Sequence, residues 1–155
     1  MARILIIGIG NVLRSDDGVG WQVVQEISEQ SSASDVQFIL VQQLTPEIAD
    51  SVSRADRALF VDAARGGTPG SVYAGPILPA KESSTPSHDL SIASVLKLAR
   101  DLYHRSPTAY ALTVSGESFE VGEDLSPAVR EALPTLREAI ERFIERGELL
   151  IRNQV

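Results

Sequence analysis

Asp16 and Asp17 stand side by side in the glycine-rich segment 8–20, Asp62 follows the apolar run Ala58-Leu59-Phe60-Val61, and His88 lies in Thr85-Pro86-Ser87-His88-Asp89. Carboxylates and an imidazole, in a chain without cysteine, form an oxygen and nitrogen donor set suited to a borderline divalent metal such as nickel, zinc or manganese. Three protein ligands leave coordination positions open, which suits activation of water or acceptance of a metal presented by another molecule. Each residue also has a purely structural use. Either aspartate of the pair could cap a helix, stabilising it by about 1 kcal/mol, but one cap needs one carboxylate and leaves the other free to face a cleft. Asp62 could cap the loop after its strand, yet a desolvated carboxylate there is costly unless a cation or donors compensate it. His88, at a helix start, would face the positive helix end that favours neutral imidazole, the ligand form, or serve as a local hydrogen-bonding residue. His104, in a charged context near the end of the same helix, reads as a surface residue.

The elements that must carry these groups follow from periodicity. Arg3 to Ile9 is β-branched and almost continuously apolar, as in a strand covered on both faces of a parallel sheet, and Val36 to Val41 and Ala58 to Val61 repeat the pattern. Val19, Val23, Val24 and Ile27 mark a helix between the first two. A shorter helix opens at Thr45-Pro46-Glu47, with Thr45 as N-cap and Pro46 in the first turn. The turn cluster at 66–70 precedes a strand from Ser71 to Leu78, and residues 79–87 form a polar loop. A long helix is expected from Pro86 or Ser87 to His104, with an inner stripe of Ile92, Val95, Leu96, Ala99, Leu102 and Tyr103. Ala109 to Val114 is the last strand. Ser126-Pro127 opens a terminal helix with Val129, Leu133, Leu136, Ile140 and Phe143 inward and a kink at Pro134. The expected fold is α/β, a three-layer sandwich with a twisted, mostly parallel sheet of about five strands flanked by helices, as a single domain over residues 1–155. In such sheets binding residues gather outside the carboxyl ends of the strands.

Composition narrows the function classes. Fourteen Lys and Arg against 21 Asp and Glu leave a net charge of −7, the wrong sign for gripping nucleic-acid phosphates. The absence of cysteine removes disulfides, thiolate zinc sites, iron–sulfur clusters and cysteine nucleophiles. The N-terminal apolar run is four residues long and ends at Gly8, a strand rather than a signal peptide, and no stretch reaches the roughly 20 residues of a membrane span, so a cytoplasmic protein is expected. Gly8 and Gly10 invite a dinucleotide fingerprint. However, position 13 is Leu instead of the third glycine, the second strand ends in Gln42-Gln43 where an acidic ribose partner belongs, and Asp16 and Asp17 would repel a pyrophosphate.

Taken together, Gly8-Ile9-Gly10-Asn11-Val12-Leu13 with Asp16-Asp17-Gly18-Val19-Gly20, Gln43-Leu44-Thr45-Pro46-Glu47, Val61-Asp62-Ala63 and a helix-start His88 resemble the hydrogenase maturation endopeptidases, small proteases that finish the large subunit of nickel–iron hydrogenases. The resemblance spans nearly the whole chain in the right order. It implies a sheet flanked by helices and removal of a short C-terminal extension from the large-subunit precursor once nickel is inserted. It also implies that Asp17, Asp62 and His88 are the metal-contacting and catalytic residues; some relatives carry Glu at the first of these. Nickel would be presented by the precursor, with no organic cofactor, no membrane or nucleic-acid partner, and a monomeric enzyme. Ser115-Gly116-Glu117-Ser118-Phe119 also matches relatives. No G-x-S-x-G elbow follows a strand, which argues against a Ser-His-Asp enzyme, and a paired-aspartate protease would leave His88 without a role. The rival readings are a non-enzymatic nickel-delivery or chaperone module and a related α/β peptidase with another client, such as the germination proteases of spores.

Overall fold

A computed structural model describes residues 3–81 and 90–149. Five strands, β1 (Ile4–Ile9), β2 (Val36–Val41), β3 (Arg57–Ala64), β4 (Val72–Ile77) and β5 (Thr108–Ser115), form one sheet in the order β2-β1-β3-β5-β4. The first four neighbours run parallel and β4 lies antiparallel to β5, so the sheet is mostly parallel. Helices α1 (Val19–Gln30) and α4 (Pro127–Arg146) cover one face, and α2 (Ile48–Ser53) and α3 (Ile92–Tyr103) the other. This is the three-layer α/β sandwich expected from the alternation of elements.

The period-2 geometry of a strand sorts side chains between the two faces. Ile4, Ile6, Leu59 and Val61 pack under α1 and α4, whereas Leu5, Ile7, Ala58 and Phe60 pack under α2 and α3. Every residue of β1 is buried, because it lies inside the sheet and between both helix layers, while β2 at the edge is only partly buried. Pro76 is tolerated in β4 because that strand pairs on one side only, where a missing donor costs no ladder bond.

Three helix expectations need correction. α3 begins at Ile92, where Ser91 in extended conformation accepts the Ser94 amide at 3.1 Å, not at residue 86 or 87. Its stripe stops at Ala99: Leu102 and Tyr103 are exposed. Thr45 does not cap α2; its hydroxyl donates to the Glu47 carboxylate at 3.0 Å, and its carbonyl, not its side chain, receives the Ile48 amide. In α4 the Ser126 cap and Pro127 at the first position are as expected, with Val129, Leu136, Ile140 and Phe143 fully buried and Leu133 only partly so. The helix continues through Pro134 to Arg146. Arg130 and Pro134 are both exposed, so water can replace the backbone bond that proline removes.

Candidate active site

β1 sits where the chain reverses its direction of travel across the sheet, with β2 on one side and β3 on the other. The crevice beyond the carboxyl ends of two such strands is the usual ligand site of an open α/β sheet. Asp17 follows β1 and Asp62 lies in β3, so the fold delivers both to that crevice. Two glycines make the approach close enough. Gly10 has φ +148°, and a Cβ there would stand 1.9 Å from the Asp17 carbonyl oxygen. A Cβ on Gly20 would stand 2.2 Å from the Val61 carbonyl oxygen and 2.5 Å from that of Ile9. The first turn of α1 therefore rests on the ends of β1 and β3, one residue before Asp62. Gly20→Ala is expected to force these backbones apart, costing more than about 2 kcal/mol in urea unfolding and lowering protease activity in the same protein.

Asp62 is the first residue of β3 beyond its pairing with β1, which ends at Gly8 opposite Val61, but it remains paired with Thr113 of β5. The sequence places it at the end of its strand; β3 in fact runs on to Ala64, and it is β1 that stops. The Asp62 Oδ1 accepts the Ala63 amide at 2.8 Å. Burial pushes its carboxyl up to about 7; the Ala63 amide pulls the other way, and the nearby Asp17 charge pushes it further up. Asp17 Oδ2 accepts the Asn11 amide at 2.9 Å, tying its own loop back to the end of β1.

Neither aspartate of the pair caps a helix: no side chain caps the 3-10 turn Ser15–Gly18 or α1. Asp16 has a different use. It is completely buried, its Oδ2 accepts the amides of Glu117 (2.8 Å) and Ser118 (3.1 Å), and its Oδ1 accepts the amide of Ser126 (2.7 Å). Burial opposes its ionisation, but the Ser126, Glu117 and Ser118 donors outweigh that and hold the carboxyl below its ordinary range. Backbone bonds from Asp16 to Ser118, from Ser15 to Gly122 and from Gly122 to Leu13 complete the seam. The segment Ser115 to Phe119, whose role spacing does not reveal, thus forms the start of a loop strapped across the turn that carries Asp17. The local signal for this was weak: an acid beside another acid, with partners more than 100 residues away.

The model for hydrogenase maturation proteases (HycI) matches residues 22–143. The chain belongs to the hydrogenase maturation protease family. Its fold is similar to that of the hydrogenase maturating endopeptidase HybD from E. coli, with a TM-score of 0.77 and 24% identity over 94% of each chain. It is also similar to the [NiFe] hydrogenase maturation protease HycI from Thermococcus kodakarensis KOD1, with a TM-score of 0.74 and 26% identity, again over 94% of each chain. Among curated proteins nothing matches.

This maturation protease brings two of its three expected site residues, Asp17 and Asp62, within electrostatic reach of each other. The third, His88, lies outside the described residues, in the stretch that leads into α3; Asp62 has the strand parity of the face that α3 covers. Among the described residues no group of three or more His, Asp and Glu could hold a metal ion. His104 is exposed at the end of α3, as expected of a surface residue. A cavity of about 350 Å³ opens among Arg3, Asp35, Gln37 and Arg54, at the amino ends of β1 and β2 and away from the carboxylate pair. The protease has no helix, among the described residues, long and apolar enough to cross a membrane.

Proposed function

We propose that this protease removes the C-terminal extension of a nickel–iron hydrogenase large-subunit precursor after nickel insertion, and that Asp17, Asp62 and His88 contact the nickel the precursor carries. The observation that supports this most is the meeting of Asp17 and Asp62 at the β1–β3 crevice. Burial and the nearby Asp17 charge both disfavour the ionised form of Asp62, and a divalent cation reverses that penalty. Nickel is here part of the substrate and a check that insertion has occurred; no organic cofactor takes part. In the cleavage, water adds to the scissile carbonyl, the C–N bond breaks, and the departing amine takes up a proton. The water is made nucleophilic by the metal or by a carboxylate. The enzyme works as a cytoplasmic monomer.

Incubation with nickel-loaded and nickel-free precursor, followed by intact-mass measurement of the large subunit, tests this reading. Shortening of the nickel-loaded form alone is expected. Equal shortening of both would refute the metal check and leave the proteolysis standing, whereas nickel transfer without a mass change would favour a delivery module.

A further inference from the structure

We propose that Arg65 is a substrate-binding residue of this protease, receiving a carboxylate of the precursor beside the segment to be cut; the proposal rests on the reading of the protein as that precursor's protease. Arg65 directly follows β3, three residues after Asp62 and roughly 10 Å from it along an extended chain. Its guanidinium carbon lies 4.2 Å from the centre of the Phe119 ring. That ring is itself held: it packs so closely on Gly116 that a Cβ there would approach it to 2.5 Å, and the Gly116 amide donates to the Ala64 carbonyl at 3.0 Å. The next two amides of the loop bind the buried Asp16. The ring is thus anchored to the end of β3 and to the turn that carries Asp17.

The charge pattern around this pair decides what it can take. Arg54, Lys97, Arg100, Arg105, Arg137 and Arg142 each pair with an acidic side chain. Arg65 is one of several cations that pair with no acid among the described residues, and among these residues it is the one that lies over an aromatic ring, although Glu117 lies in the adjoining loop. A guanidinium with one face on an aromatic ring keeps its edge donors free in a fixed fork, the geometry that matches a carboxylate with two parallel hydrogen bonds. Stacking also reduces the side-chain freedom lost on binding. In a chain with net charge −7 an acidic segment of a client is repelled over most of the surface, so a ring-stacked cation just past the end of β3, with no acidic partner among the described residues, is where such a group docks.

The carboxylate can belong to an acidic side chain near the cut or to the free C-terminus of the extension. Steady-state cleavage of nickel-loaded precursor is compared for wild type, Arg65→Lys and Arg65→Gln. Three precursors are used: unmodified, with acids near the cut changed to amides, and with a short Gly-Ser tail that displaces the terminal carboxylate. For the unmodified precursor, Arg65→Gln is expected to raise KM about tenfold with kcat within twofold, and Arg65→Lys to give an intermediate KM. One precursor change should raise the wild-type KM equally and add nothing in Arg65→Gln, which names the source. An Arg65→Gln KM within twofold of wild type, or losses that add fully for every precursor, would overturn the assignment. Failure of wild type to cut any precursor would instead overturn the protease reading, and Arg65 with it.

Discussion

Replacing Asp62 with Asn is expected to make the metal-free protein more stable and the protease inactive. Asn keeps the oxygen that accepts the Ala63 amide but removes a charge that burial and Asp17 both oppose. Because the folded-state carboxyl is raised from 3.8 to about 7, the native state binds the proton more tightly than the unfolded chain. The protonated group's contribution is fully present below pH 3.8 and is lost as pH rises through about 7. The variant should therefore match wild type near pH 4, gain steadily above it, and level off above pH 7 with an advantage of up to about 4 kcal/mol at 1.36 kcal/mol per unit. Urea unfolding at pH 4, 6 and 8 measures this, and a constant difference across the series would contradict it. Cleavage of nickel-loaded precursor should fall by at least about a thousandfold, since a neutral amide is a poor metal ligand and a poor base. Stability gained where activity is lost is the mark of a functional carboxylate kept at a structural cost.

Asp16→Ala should do the reverse to stability. It removes a buried anion that satisfies three main-chain amides and leaves those donors without partners, at a cost of about 3–5 kcal/mol. Asp16→Asn, which keeps one acceptor oxygen, should lose less. The stabilisation is present above pH 3.8, because the folded carboxyl is lowered, and disappears as pH falls through its folded value, a window opposite to that of Asp62. Activity should fall with it, because the strap over the Ser15–Gly18 turn is what holds Asp17 in place. Denaturant midpoints together with proteolytic nicking within residues 117–126 read out both effects. An Asp16→Ala protein as stable as wild type, with an uncut loop, would remove the strap from the account.

The neighbouring aspartates show how much a sequence reveals and where it stops. β1, α1, the apolar stretch of β3 and the Ser126-Pro127 start of α4 are local facts, written in β-branched runs, 3.6-residue periods and a capping hydroxyl, and the structure contains them, with β3 running on through Asp62 to Ala64. From them it followed that Asp17 and Asp62 would share the carboxyl edge. The division of labour within Asp16-Asp17 was not local. Asp16 is distinguished only by amides 101, 102 and 110 residues away, which periodicity does not register. Residue type does not fix the start of α3 either: proline and serine at 86, 87 and 91 all suit a helix start, and the Ser91 hydroxyl accepting the Ser94 amide marks the N-cap of α3. The Arg65–Phe119 contact joins the ends of two strands adjacent in the sheet but separated in sequence by β4 and α3.

The most direct test is the intact mass of a nickel-loaded large-subunit precursor after incubation with wild type, Asp17→Asn, Asp62→Asn and His88→Ala, each confirmed folded by its unfolding transition. Loss of the C-terminal extension with wild type and its retention with all three variants is expected. Full shortening by all three would show that the two carboxylates and the imidazole do not carry the reaction.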